Sequence, residues 1–438
     1  MDCSGQLDLL HDEPPGTGEG AHGYGVDTIC LFLRLVSDGI SLRGVSRVFG
    51  VLAKAFGWYI DIPNWTTGRL WLMRLGHAML TMPLPQADDW AWCADHSVQI
   101  GQEKCLVILA IRLRDLPKPG DCLQHRDMQL VALLPRTSWT RQEVADALEE
   151  AVARTGVPRV IVNDHGVDLH GGVQIFQQQH PQTQEIYDIK HKAACLLKHR
   201  LEKEPRWQEF QRQLGQTRCA VQQTALGFLT PPSPKLKARY MNLQAQLEWA
   251  DHVLDILQKP PNEVLQWVSA EQLQTKLGWL HEFGDVVPEW SHWQQVVNIA
   301  VDHVNRHGIS RCTVRNLKKA LPRKHAHAST AALQKDLLCF VATQAKQTKM
   351  GERFPGSTEV LESCFGKMKV VEKQQSRGGF TSLLVSFGAL LADTTSQVIK
   401  TALRHSATAE VYRWCEKHLG TTLFAKRKLA FASATKPG

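Results

Sequence analysis

Asp95 and Asp164 each sit at the end of a strand-like segment and Glu362 lies on a later helix, and together they could do chemistry. Carboxylate oxygens are what hard divalent cations such as Mg²⁺ and Mn²⁺ prefer, and Mg²⁺ keeps several waters while bridging to phosphate. Two such ions about 4 Å apart can flank a phosphodiester. One activates a water or a 3′-hydroxyl, and the other stabilises the leaving oxygen. Chemistry of this kind needs acids at the site and no nucleophilic side chain.

The third acid is a choice between Glu359 and Glu362. At 100° per residue, Val360, Leu361, Cys364, Phe365 and Met368 centre on one helical face. Glu359 lies nearly opposite that face, whereas Glu362 lies at its border beside Phe365. A helix docked on a sheet would carry Glu362 towards the sheet edge, so Glu362 is preferred.

These acids need elements to position them. Residues 89–96 alternate as a strand, with Trp90, Trp92 and Ala94 on one face and Asp95 on the other. After a turn at Gly101, residues 105–111 and 128–134 make two apolar strands. Thr140 and Glu143 have capping-box spacing and open a helix to about residue 153, which Gly156 ends. Val160, Ile161 and Val162 then form a β-branched run between Pro158 and Gly166, as a strand covered on both faces would. Asp164 follows at its carboxyl end, where open α/β sheets place their ligands. A fifth strand, 184–187, delivers Asp188 ahead of a helix through Ile189, Lys190, His191 and Lys192.

The order strand, strand, strand, helix, strand implies an α/β fold with an RNase H-like mixed five-stranded sheet and flanking helices. The ends of the first and fourth strands then come together. His191 or Lys192 is a candidate contact to a scissile phosphate, and a helix N-cap Asp188 followed by two surface bases gives the same pattern. His165 either supports a metal-binding acid or is simply a turn residue, the turn reading being slightly preferred. His325 and His327 resemble a metal pair but lack further ligands nearby and read as a solvated loop.

The expected domains are a flexible leader (1–24), a helix-turn-helix-like domain (25–84), the first part of the core (85–202), a helical insertion (203–350), the second part of the core with C-terminal helices (351–419) and a basic tail (420–438). In the second domain, Arg43 and Arg47 share a face of one helix. A following helix, capped by Thr66 or Thr67 and ended by Gly76, carries Arg69 and Arg74 on its exposed side. Such a unit would lay its second helix in the DNA major groove. An ordinary helical hairpin with solvated arginines produces the same pattern more often. The insertion breaks at Pro231, Pro232 and Pro234 and at Pro260 and Pro261, and it is basic through Lys235, Lys237, Arg239, Arg311, Arg315, Lys318, Lys319, Arg323 and Lys324. Beyond a polar loop at 376–379, two helices are expected at 380–404 and 408–419.

Lys plus Arg number 51 against 43 Asp plus Glu, a net +8 that permits a polyanionic partner without requiring one. The 11 cysteines form no CxxC pair and read as reduced thiols of a cytosolic protein. The first residues are neither basic nor followed by an apolar core, so no secretory signal is expected. No run reaches the length of a membrane span.

The Asp95 strand, the Asn163-Asp164-His165-Gly166 turn and the Glu362-Ser363-Cys364-Phe365-Gly366-Lys367 helix resemble the three acidic motifs of DDE transposases from bacterial insertion sequences. The resemblance covers roughly residues 30–400. Each motif alone is weak, and their order and strand placement carry the likeness. The separation of 198 positions from Asp164 to Glu362 exceeds the spacing in simple members, but several branches carry an insertion domain there. The resemblance implies two-metal-ion cleavage and strand transfer at element ends, with Mg²⁺ or Mn²⁺ on Asp95, Asp164 and Glu362. Asp188, His191, Lys192 and Lys367 become candidates for touching the phosphate or supporting the metal-binding acids, and Arg43, Arg47, Arg69 and Arg74 candidate DNA contacts. It also implies double-stranded DNA as partner, a homodimer or higher assembly when two ends are synapsed, and a bacterial, nucleoid-associated cytoplasmic location. The competing expectation is a catalytically silent, transposase-derived DNA-binding protein.

Overall fold

The alternation of Trp90, Trp92 and Ala94 with Ala91 and Cys93 gives a strand apolar on both faces, and such a strand must be covered on both. A computed structural model shows how. It describes residues 23–57, 61–100, 103–233, 240, 243–324, 327–374, 382–419 and 423–432, with the side chains of 97–100, 103 and 423–425 excepted. Most of the expected leader, Gly101, Pro234, Lys235, Lys237, Arg239, His325, the loop 376–379 and both ends of the basic tail lie outside the described residues.

Among the described residues three helices come first: α1 (Val26–Ser37), α2 (Leu42–Phe56) and α3 (Trp65–Thr81). The hairpin β1 (Trp90–Ile100) and β2 (Glu103–Arg112) leads to β3 (Gln129–Arg136). Then follow α4 (Arg141–Thr155), β4 (Val160–Asn163), α5 (Val167–Gln179) and β5 (Gln184–Tyr187). The five strands form one mixed sheet in the order β3-β2-β1-β4-β5. β1 is antiparallel to β2, β2 is antiparallel to β3, and β1 is parallel to β4. The expected capping box is present: Thr140 Oγ1 accepts from the Glu143 amide, and Glu143 accepts from the Thr140 amide. Gly156 ends α4 at φ 84°, in the left-handed region that glycine enters without steric cost.

One face of the sheet carries Trp90, Trp92, Ala94, Leu106, Ile108 and Ile161, which pack against Val144, Leu148 and Ala151 of α4 and Leu169, Val173 and Phe176 of α5. The opposite face is covered by α3, which touches β3, and by α14 (Glu359–Lys373), which touches β1. Helix α3 also packs on a 3-10 segment, Ser382–Leu390, and on α15 (Ser396–His405). The helix expected across 380–404 is thus a 3-10 segment followed by a separate short helix. The last described elements are α16 (Thr408–Leu419) and an exposed α17 (Leu423–Ala432), so part of the expected basic tail is helical.

Helix α3 departs from expectation for a packing reason. Its N-cap is Asn64, not Thr66 or Thr67, and it runs through Gly76 to Thr81. Gly76 permits close approach and does not end the helix: a Cβ there would lie 2.1 Å from the Val385 carbonyl oxygen. The same burial moves Arg74 off the surface. Only 7% exposed, it donates to the carbonyl oxygens of Ser406 (2.6 Å) and Leu403. Arg69 donates to Ser382 Oγ. Arg74 therefore fastens the end of α15 and offers nothing to a groove of DNA, whereas Arg43 and Arg47 on α2 are exposed.

A second compact unit comprises Ile186–Ser357 with the short segment Lys118–Cys122. It starts at Ile186, within β5, and so earlier than the boundary expected at 203, while α1–α3 belong to the same unit as β1–β4. Its helices are α6 (Ile189–Leu201), α7 (Pro205–Val221), α8 (Gln244–Gln258), α9 (Asn262–Leu265), α10 (Ala270–Leu277), α11 (Val287–His307), α12 (Thr313–Ala320) and α13 (Ala328–Ala345). The buried rings of Trp207, Phe210, Phe283 and Trp290 form its aromatic centre, with Trp207 edge-on to Trp290 at 5.0 Å. Helix α8 stops before Pro260, as the sequence pattern requires.

Candidate functional site

Asp95 and Asp164 are brought together by strand register. The parallel pairs Ala91–Val160, Trp92–Ile161 and Cys93–Val162 are formed, and two further steps along the same register set Asp95 beside Asp164. Neighbouring strands lie about 4.8 Å apart. Alternation puts Asp95 on the face of Ala91 and Cys93, the face that α14 covers. Asp95 is not the end of its strand, however. β1 continues to Ile100, and Asp95 is itself paired with Val107 of β2. The strand that ends here is β4, so the site opens where β1 outruns its parallel neighbour.

The turn after β4 is held by its own side chains. The His165 amide donates to Asn163 Oδ1 and the Gly166 amide to Asp164 Oδ1, both at 2.8 Å. Between them, His165 has φ 57°, and it is the non-glycine residue with positive φ among the described residues. Strained backbone of this kind persists only where the surroundings over-determine it. The Asp95 carboxylate accepts from the His96 amide at 2.6 Å. Both acids are partly buried.

Glu362 lies on α14, a helix that touches β1. It is half-buried at the border of the buried Leu361, Cys364, Phe365 and Met368, whereas Glu359 is exposed. Further along α14, Lys367 Nζ meets His125 Nε2 at 2.7 Å. Burial pushes the Cys364 thiol up to about 12, so it stays protonated and inert.

On the opposite face, beside these acids, lie polar groups that the sequence did not single out. The His96 side chain is largely buried, with Nδ1 3.7 Å from Asp168 Oδ2 and its ring 5.8 Å from that of Trp139. Burial, aided by the Lys104 charge, pushes its imidazole down to about 4, against the pull of Asp168 and Asp164. It is neutral at physiological pH. Lys104 Nζ donates to Asp168 Oδ2 at 2.6 Å. Burial opposes ionisation of Asp168, but that hydrogen bond and the charges of His96 and Lys104 outweigh it and hold the carboxyl below its ordinary value. The one legible signal was positional: His96 follows a candidate acid, and Lys104 lies on the paired strand two residues before Leu106, the partner of His96.

Beyond β4, Glu185 of β5 accepts from Asn163 Nδ2 at 2.8 Å and faces His170 Nδ1 at 2.9 Å and His165 Nε2 at 3.5 Å. Burial raises the Glu185 carboxyl, and the hydrogen bonds from Asn163 and His170 offset part of that rise. Among the described residues, His165, His170 and Glu185 form the group whose ligand atoms all lie within 4.8 Å of one another. Asp95, Asp164 and Glu362 are not gathered so tightly. Their donor set is nonetheless all carboxylate oxygen, which fits Mg²⁺ or Mn²⁺, and a pair of ions spreads its ligands over a wider span than one ion does.

Asp188, His191 and Lys192 belong to the second unit. Asp188 is buried and caps α6, accepting from the amides of Lys190 (2.6 Å) and His191 (2.9 Å). Lys192 Nζ lies 5.9 Å from the Tyr187 ring and 5.8 Å from the Phe340 ring, a cation–π arrangement. The N-cap reading of Asp188 thus describes its local bonding.

No protein-family model matches this chain, and no curated protein matches it. Among the described residues, no helix is long and apolar enough to cross a membrane.

Proposed function

We propose that this chain is a DNA transposase of the DDE type, with an RNase H-like core that cuts and joins the ends of a bacterial insertion sequence. The observation that carries the reading is the register between β1 and β4, which sets Asp95 level with Asp164 at a sheet edge that α14, the Glu362 helix, packs against. The strand order β3-β2-β1-β4-β5, with an antiparallel meander followed by a parallel strand, is the order such a core has.

In this reading Asp95, Asp164 and Glu362 would hold two Mg²⁺ or Mn²⁺ ions, which would supply activation of water or a 3′-hydroxyl and stabilisation of the leaving oxygen. The chain's own contribution is to fix the acids. The Gly166 amide orients the Asp164 carboxylate, and the β1–β2 hairpin makes Asp95 rigid on a paired strand. The Lys104–Asp168 ion pair ties the first turn of α5 to β2, so the turn bearing Asp164 is anchored beyond it. Double-stranded DNA is the partner, a synapsed dimer or higher assembly the working form, and the nucleoid-associated cytoplasm the setting. The net charge of +8 and the exposed Arg43 and Arg47 suit that partner.

The test is in vitro cleavage and strand transfer, using as substrate the DNA that flanks the coding sequence on both sides. Mg²⁺- or Mn²⁺-dependent nicking at defined ends is expected, and it should vanish in Asp164→Asn while DNA binding persists. Cleavage that survives that substitution would overturn the assignment.

A further inference from the structure

We infer, independently of the transposase reading, that His165, His170 and Glu185 form a binding site for a single zinc-class divalent cation. The site is separate from the three acids and clamps the turn that carries Asp164.

The geometry fits such an ion. A tetrahedral zinc site with bonds of ~2.1 Å has ligand atoms roughly 3.4 Å apart. The Glu185 oxygens lie 2.9 Å from His170 Nδ1 and 3.5 Å from His165 Nε2, on either side of that value. Two imidazoles and one carboxylate favour zinc, cobalt or manganese over magnesium, which prefers an all-oxygen shell. Three protein ligands leave a fourth position for water. The two rings are stacked, with centroids 4.2 Å apart and planes at 21°; because an imidazole lone pair lies in its ring plane, ion binding turns one ring about its Cβ–Cγ bond so that both nitrogens aim at one point.

The surroundings are those of a supported ligand set. Asn163 Nδ2 donates to Glu185 Oε1 at 2.8 Å and fixes the carboxylate plane. The Gln174 amide meets His170 Nε2 at 3.0 Å. As placed, the amide nitrogen donates to Nε2 and Nδ1 carries its proton towards Glu185; an ion displaces that proton, and turning the Gln174 amide over lets its oxygen accept from Nε2–H, the tautomer a metal at Nδ1 needs. The three ligands come from three elements: the turn after β4, the first turns of α5, and β5. An ion joining them would tie that turn, and hence Asp164, to β5. His165 itself sits in left-handed backbone, at φ 57°.

The experiment uses the full chain, stripped with a chelator and then titrated with ZnCl₂ by calorimetry and with Co²⁺ by visible absorption. We expect one zinc per chain that raises the melting temperature, with Co²⁺ giving tetrahedral d–d bands. Glu185→Gln, close in size to the native residue, should abolish both signals. Gln174→Ala, at an exposed position, should weaken binding by about 10–100-fold. The double variant Asp95→Asn/Asp164→Asn should bind zinc unchanged, so a failure of the phosphoryl-transfer reading leaves this result standing. Absence of zinc binding, or zinc binding undiminished in Glu185→Gln, would overturn the proposal.

Discussion

Asp95 and Asp164 are level with each other across two adjacent parallel strands, although 69 residues separate them in the chain. One belongs to a strand that continues, and the other to a turn just beyond a strand that has stopped. The two acids are therefore neighbours by register at the point where β1 runs on past the end of β4.

The two glutamates of α14 should separate cleanly. Glu362→Gln is expected to lower strand cleavage by about 10³-fold, some 4 kcal/mol of transition-state stabilisation. Glu359→Gln, on the exposed face, should leave the rate within about twofold, since it stands away from where charge develops in the transition state. Rates from single-turnover cleavage of flank DNA decide it. Equal reductions in both variants would remove Glu362 from the site.

The arginines of the N-terminal helices divide in the same way. Arg43→Ala and Arg47→Ala should weaken DNA binding and reduce the slope of log K against log salt by about 0.9 for each phosphate that is no longer neutralised. Arg74→Ala should instead lower the melting temperature, because it strips partners from the buried carbonyls of Leu403 and Ser406. Filter binding across a salt series, beside thermal melts, checks both.

Arg154 tests what holds α4 to its surroundings. Its guanidinium, pushed down to about 10 by burial, donates to the carbonyl oxygens of Leu130, Val131 and Met82 at 2.7–2.8 Å. Arg154→Met keeps the apolar stem and removes all three bonds. A drop of about 3 kcal/mol in denaturant unfolding is expected, since each buried acceptor left without a donor costs about 1–3 kcal/mol before relaxation.

Acid should weaken the fold through His77. Burial lowers its pKa from 6.5; the nearby His405 adds to this, and Glu410 opposes it. Below pH 6.5 the unfolded chain takes up a proton that the folded chain resists. Stability is therefore full above 6.5 and falls as the pH drops towards the lowered folded value. His77→Gln should flatten that part of the stability–pH curve, as read by urea unfolding at a series of pH values. An unchanged slope would mean that His77 titrates alike in both states.

Much of the sheet was legible because local patterns generate it. The β-branched Val160-Ile161-Val162 run, the period-two alternation around Trp92 and the Thr140–Glu143 capping box act over a few residues, and each formed where its pattern lay. The helical phase that sets Glu362 apart from Glu359 is local too, and their burial follows it. What the sequence by itself determined was therefore the kind and order of the elements and which acids they carry.

Tertiary packing decided the rest. Gly76 and Arg74 carry ordinary surface and stop signals, yet both are interior, because Val385 and the end of α15 come from more than 300 residues away. Asp95 does not end its strand, since hairpin pairing with β2 carries β1 past the point where β4 stops. The His165–His170–Glu185 cluster has no spacing that marks it. It exists because a left-handed turn, a helix and a fifth strand converge on one carboxylate, and only long-range packing brings such groups together.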